Sequence, residues 1–453
     1  MGDELDGILI SSSEPDFEAR FATLQEKKAP AGRFAGYDSE GSRQVLGIIR
    51  EVAEEGDDRE YENSDAAVKG FTKEFDDAEL RPDEFQIPRE ELKKAHEGID
   101  PALLSSVRKA IDNVREYQTT IFVGNRRQPG IRYTPIKRIG ICVPGAAAPM
   151  PSTVIMTAVP ALVAGVKPED IVVVSPPRYK PGGNAKGTIH PVTLAVCYEL
   201  EIDNVYRIGG AQAIAALACE KGTVPKVDKI VGPGNQWVQT AKKMVSQDYV
   251  GIDSIAGPSE VLIIASDKAN PAWVAADMLS QAEHGLDSKA VVATDSETAA
   301  REILDELKRQ LDGLSRADEA RKSLLEFGAI VALKDMKAVV DFANDFAAEH
   351  LEIQCGVQSA EVAEQIENAG AIFIGDYTPV AVGDYWAGPS HTLPTEMRAK
   401  FSSALTSNDF VKSISIIEYN KQELAASAED IIRLAETEGL YAHARSIRVR
   451  QER

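Results

Sequence analysis

Six histidines are spread over 453 residues, and their neighbours sort them by the chemistry they could do. His96 lies among Lys93, Lys94 and Glu97 on a charged helix and reads as surface; His190 precedes Pro191 in a loop and reads as structural. His284, His350, His391 and His443 sit among polar or small residues. Asn270 to Gly285 reads as one helix: Asn270 can cap it, Pro271 fits its first position, and Gly285 fits a left-handed closing residue. Gln281 and His284 then share a face in its last turn. A histidine at a helix end also suits the helix dipole, so this helix alone decides little. Glu349-His350, at the close of an apolar helix, supplies two proton acceptors of different basicity. Asp384 and His391 fall in a loop from Gly375 to Thr395, long enough to suggest function, and His443 follows Glu438-Gly439-Leu440. Gln281, His284, Asp384 and His443 together offer only oxygen and nitrogen donors. That set suits Zn2+ in a catalytic site with positions left for substrate. Taken singly, each is more simply a satisfied polar group, and their long separation leaves convergence undecided.

Elements that could position such residues follow from periodicity. The spacing predicts an N-terminal amphipathic helix starting near Ser13 and Pro15, with Phe17, Phe21 and Leu24 on one face, broken at Lys28–Gly32. Further helices start near Gly41 and at Asp100-Pro101, with a strand near Phe85–Ile87 between them. From Ile136 onward, buried strands, glycine turns and helices alternate: strands at 139–143, 171–174, 205–208, 229–231, 260–264, 290–293, 329–333, 351–354 and 371–374. That alternation means parallel sheets flanked by helices, which bind ligands at the carboxyl ends of their strands. Gly209-Gly210 and Gly232-Pro233-Gly234 fall at such ends, where backbone N–H groups can meet phosphates, although tight turns explain them equally well. The usual G-x-G-x-x-G fingerprint is absent. The tail, 420–453, reads as helical.

The net charge of −21 argues against a nucleic-acid partner. No apolar run reaches membrane-spanning length, and the acidic start carries no secretory signal. Cys142, Cys197, Cys219 and Cys355 are too dispersed for a disulfide frame and fit reduced thiols; a cytoplasmic protein is expected.

Longer stretches carry a resemblance. Ile208-Gly209-Gly210-Ala211-Gln212, Val231-Gly232-Pro233-Gly234-Asn235, Gly257-Pro258-Ser259-Glu260-Val261-Leu262, Ser280-Gln281-Ala282-Glu283-His284-Gly285, Ala348-Glu349-His350-Leu351-Glu352, Gly388-Pro389-Ser390-His391 and Glu438-Gly439-Leu440 resemble the histidinol dehydrogenase family, in order, from about residue 41 to the end. The resemblance implies oxidation of L-histidinol through L-histidinal to L-histidine with two NAD+ and one Zn2+. It implies Gln281, His284, Asp384 and His443 as zinc ligands, His443 coming from the partner subunit of an intertwined homodimer. It implies His350 as the base of the oxidations and Glu349 as the base that activates water. Ser259, His391 and Glu438 match substrate-contacting positions, as do the four ligands and His350. Gln212 and Asn235 match NAD-contacting positions, and Cys142 stands where the family usually has a tyrosine in the NAD-binding turn. Cysteine reproduces neither the stacking nor the hydrogen bond of a phenol, and Ala146 replaces a further common glycine. The implied fold is α/β: two related, incomplete Rossmann-like parallel-sheet units plus small, mainly helical terminal domains. In residues, that is a helical arm at 1–35, a first unit from 36–141 and 259–400, a second, NAD-binding unit at 142–258, and a dimerisation segment at 401–453. The alternative is a paralogue that oxidises another small amino- or sulfo-alcohol with NAD+ on the same scaffold, for which Arg398 and Lys400 are the nearby cations.

Overall fold

The computed structural model describes residues 3–27, 39–57, 59–125, 129–145, 149–183, 186–246 and 248–452. The predicted break at Lys28–Gly32 and the Ala146 substitution lie outside them. The chain divides into two compact units, residues 1–123 with 135–411, and residues 124–134 with 412–453.

Thirteen strands are present among the described residues: β1 (Leu9–Ser11), β2 (Ile131–Pro135), β3 (Ile139–Cys142), β4 (Ile171–Val174), β5 (Asn204–Tyr206), β6 (Lys229–Val231), β7 (Gly251–Ile252), β8 (Glu260–Ala265), β9 (Lys289–Thr294), β10 (Ala329–Ala332), β11 (His350–Gln354), β12 (Ala371–Ile374) and β13 (Val411–Ser415). Five of them form a sheet in the order β5-β4-β3-β6-β7, and six form another in the order β1-β10-β9-β8-β11-β12. Every pairing in both is parallel. Numbered within each run of five, both sheets read 3-2-1-4-5, the Rossmann order without its sixth strand. The second sheet adds β1 at its β10 edge. The two related, incomplete Rossmann-like units are thus present as expected.

The strands form where β-branched residues are covered on both faces: all of Ile171-Val172-Val173-Val174 is buried. One face of the five-stranded sheet packs on the helices Pro151–Val163 and Pro191–Glu199, the other on Gly210–Ala218 and Gln236–Val245. The helices Glu40–Ala53 and Ser64–Asp76 pack outside that second layer. The six-stranded sheet packs Pro271–Ala282 and Glu297–Leu311 on one face and Met336–Phe346 on the other. In the smaller unit, helices Lys421–Thr437 and Tyr441–Gln451 pack on each other. The two-stranded β13-β2 sheet begins there, from short stretches that carry no clear alternation.

Several local expectations change. The helix at 270 ends at Ala282, and Gly285 is not left-handed. The chain leaves through tight turns instead, His284 N–H donating to the Gln281 carbonyl and Ser288 N–H to that of Gly285. Glu349-His350 does not close a helix. The Met336–Phe346 helix stops at left-handed Ala347, and His350 opens β11. The 375–395 loop contains a short helix, Val380–Tyr385, which carries Asp384. β1 and the helix Ala317–Phe327 have too few or too mixed residues for their periods to show.

The turn after β6 illustrates how the fold fixes a loop at the carboxyl end of a strand. Gly232 has φ +107°, and a Cβ there would press on the Cys142 carbonyl. Its N–H donates to Asp253 Oδ2 at 2.7 Å and its carbonyl accepts from Lys242 Nζ at 2.9 Å. Lys242 and Asp253 are themselves a buried ion pair at 2.5 Å. Gly232→Ala should cost about 2 kcal/mol of stability, the scale of one strained left-handed residue plus the displaced strand; an unchanged denaturant midpoint would contradict this.

Candidate functional site

The strand order of the five-stranded sheet reverses between β3 and β6, and a crevice opens beyond their carboxyl ends. A hollow of about 200 Å³ is lined by Cys142, Val143, Gly145, Gly209, Pro233 and Asn235. It shares Pro176, Gly210 and Asn235 with a neighbour of about 320 Å³ lined also by Gln44, Arg178, Gln212 and Trp237. The Gly210–Ala218 and Gln236–Val245 helices begin here, so their N-terminal N–H groups face the crevice. Gly210 has φ +68°, and a Cβ on it would meet Gln212 Oε1 at 2.6 Å. Gln212 is fully buried, yet neither Oε1 nor Nε2 has a partner. A buried amide without bonds costs about 1–3 kcal/mol, which a ligand in the crevice would offset. Asn235 caps its helix through Oδ1, which accepts from the N–H groups of Trp237 and Val238. Cys142 is wall rather than nucleophile: burial pushes its thiol up to about 12.

Of the other expected residues, Ser259, Gln281, His284, Glu349, His350, Asp384 and His391 gather at the six-stranded sheet, at the amino ends of its strands. Helices here run antiparallel to strands, so the C-terminus of Pro271–Ala282 lies at the same rim. Glu349 Oε2 accepts from Ser259 Oγ at 2.6 Å and from the Glu260 N–H at 2.9 Å. His350 Nδ1 is 3.1 Å from the Glu260 carbonyl. A carbonyl only accepts, so Nδ1 carries a hydrogen, and in the neutral ring Nε2 is the nitrogen that holds the lone pair. That Nε2 is buried without a hydrogen bond, 3.8 Å from Asp384 Oδ1. Burial raises the Glu349 carboxyl above the usual glutamate value; His350, Ser259 and the Glu260 N–H pull the other way.

Gln281 Nε2 lies 3.4 Å from His284 Nδ1, and Gln281 Oε1 is buried with no partner. Burial lowers His391 below the usual histidine value, with Asp384 opposing and His350 and His284 adding to the effect. Beside them is a hollow of about 500 Å³ lined by Met150, Glu283, His284, Asp384, Tyr385 and Trp386. Among the described residues no three His, Cys, Asp or Glu side chains come together as a metal cage. Glu438 and His443 belong to the smaller unit, exposed at the turn between its two long helices, where Glu438 ends the first and Gly439 is left-handed.

Residue reasoning missed Glu260. Its backbone holds both Glu349 and His350, and its side chain accepts from the Glu396 N–H at 2.9 Å and from Lys289 Nζ at 3.2 Å. Burial pushes its carboxyl up to about 7. The available signal was an acidic residue opening an otherwise apolar strand. The Lys242–Asp253 pair had no sequence signal.

A family model described as histidinol dehydrogenase matches residues 35–451. A histidinol dehydrogenase of Rhodopirellula baltica is 46% identical over 393 residues, 85% of this chain and 83% of the relative. One of Prochlorococcus marinus is 41% identical over 436 residues, 95% of each chain. The crystal structure of histidinol dehydrogenase from Elizabethkingia anophelis is similar with a TM-score of 0.85 at 31% identity, covering 98% of each chain.

The raised Glu349 carboxyl has a stability signature. A folded pKa above the unfolded one contributes stability below the unfolded value, lost as pH rises through the folded value. Glu349→Gln should therefore lose less thermal stability than the parent as pH rises from about 4.5, the ordinary glutamate value. Parallel melting curves against pH would show that the carboxyl is not held up.

Proposed function

The chain belongs to the histidinol dehydrogenase family, and from that premise we propose that it is a zinc- and NAD+-dependent oxidoreductase converting L-histidinol through L-histidinal to L-histidine. The observation that carries this reading is His350, a buried imidazole with one nitrogen tied to a carbonyl and the other bare. That is the state of a base awaiting a proton.

The donors fit a metal: the unpartnered Gln281 Oε1 is a neutral oxygen aimed into a buried place beside His284. Gln281, His284 and Asp384 would hold Zn2+ with His443 of the partner subunit in an intertwined homodimer. The crevice fits NAD+, with the bare Gln212 amide, Asn235 and the Cys142 wall as its contacts. When bound, zinc supplies Lewis-acid polarisation of the alcohol oxygen and NAD+ accepts the hydride.

The chain's own groups manage protons. His350 Nε2 takes the hydroxyl proton in each oxidation, and its Nδ1–H stays on the Glu260 carbonyl so that the ring does not turn. Between the oxidations Glu349 takes a proton from the water that adds to the aldehyde carbon. Its raised pKa makes it a stronger base than an exposed glutamate. Ser259, His391 and Glu438 would contact substrate, and a neutral His391 ring could both donate and accept. No helix among the described residues is long and apolar enough to cross a membrane; a cytoplasmic place suits the biosynthetic role proposed. Against a sulfonated substrate, Arg398 is paired with Glu396 and Lys400 with Asp345.

Metal-replete protein should form two NADH per L-histidinol consumed, with activity lost on chelation and restored by zinc. A ratio of one, or full activity in chelator, would overturn the reading. His350→Asn should lower kcat by about 10²- to 10⁴-fold, the usual worth of a positioned base, with zinc content unchanged. Zinc loss in that variant would reassign the residue.

A further inference from the structure

β11 is an unusual core strand. Leu351 and Ile353 enter the apolar layer beneath Met336–Phe346, whereas His350, Glu352 and Gln354 line the other face, and all five are buried. Across the sheet, Glu352 stands level with apolar Ile263 on β8 and Phe373 on β12. Glu352 Oε1 accepts from the Val380 N–H at 2.8 Å. Gln354 Nε2 donates to Glu352 Oε2 at 3.1 Å and to Asp277 Oδ2 at 2.7 Å, drawing the two carboxyls together. Two carboxyls so placed do not both ionise readily. Burial and then Asp277 raise Glu352 well above the glutamate range, and burial raises Asp277; no cation is among the groups acting on either.

Each member connects to the candidate site. Asp277 is one helical turn before Gln281, on the same face. Glu352 is two residues beyond His350, on the same strand face. Val380 opens the short helix whose fifth residue is Asp384. Resting on the function proposed above, we infer that Asp277 and Glu352 are positioning residues: a carboxyl pair sharing one proton that ties the helix of Gln281, which leads into the His284 turn, the strand of His350 and the helix of Asp384 into one geometry.

The full-length, zinc-loaded protein tests this through three variants, read by zinc affinity in chelator competition, by kcat, and by KM for NAD+. In Glu352→Gln an amide N–H takes the place of the shared proton and its oxygen still accepts from Val380; only the 3.1 Å bond from Gln354, the longer of that amide's two, is given up. Zinc affinity and kcat should stay within about 3-fold of the parent. Glu352→Ala removes the tie. It should weaken zinc binding and lower kcat by about 10- to 100-fold, the usual effect of losing a group that orients a metal ligand, with KM for NAD+ unchanged. Asp277→Ala, at a helix position less buried than Glu352, should reproduce that loss and serves if Glu352→Ala does not fold. Equal damage from Gln and Ala at Glu352 would overturn the shared proton. Lower melting temperature in both alanine variants with unchanged zinc affinity and kcat would overturn the positioning role. Failure of the parent to bind zinc would instead sink the proposed function, and this inference with it.

Discussion

The backbone of one residue, Glu260, holds the candidate chemistry together. Its N–H points at Glu349 and its carbonyl at His350, neighbours where the adjacent strand β11 begins. Peptide groups are rigid, so the two side chains are fixed relative to each other without a mobile intermediary. This works only because β8 and β11 are adjacent and parallel, with Val261 level with His350. The 3-2-1-4-5 order creates that adjacency, since strands one and four of the unit meet where the order reverses.

The two sheets share that order but use opposite rims. The five-stranded sheet offers a crevice at its carboxyl ends, where glycine turns and helix N-termini suit an anionic ligand. The six-stranded sheet collects the candidate bases and ligands at its amino ends, among helix C-termini. Helix C-termini favour cations, so this rim suits a metal as the other suits phosphates. The reaction proposed above would set a hydride acceptor against a metal-held alcohol and so would call for both kinds of surface, which one duplicated topology supplies.

Both rims depend on buried charge. Lys242 with Asp253, and Lys289 with Glu260, sit inside the protein at positions that apolar residues would fill at less cost. They anchor the Gly232 turn and the Glu260 corner, and a buried pair missing one member leaves an uncompensated charge. The polar face of β11 follows the same logic. Parallel strands covered by helices are usually apolar on both sides, and this one carries His350, Glu352 and Gln354 where packing alone would select valine or isoleucine.

Much of this was legible in the chain itself. Alternating apolar runs and glycine turns gave the parallel α/β class, because burial on both faces demands those runs. Asn270-Pro271 and Asn235 marked helix starts through local capping, which needs no distant partner. The long motifs pointed to Gln281, His284, Glu349, His350 and Asp384. Other features were settled only by tertiary packing. Ala347 adopts a left-handed cap and releases His350 into a strand, against the local helical pattern. Glu260 gains its place from a neighbour about ninety residues away, and Asp253 from a lysine whose spacing carries no period. Sequence periodicity reports which face of an element is covered; it carries no record of which buried polar group meets which, because those contacts join residues that only the strand order brings together.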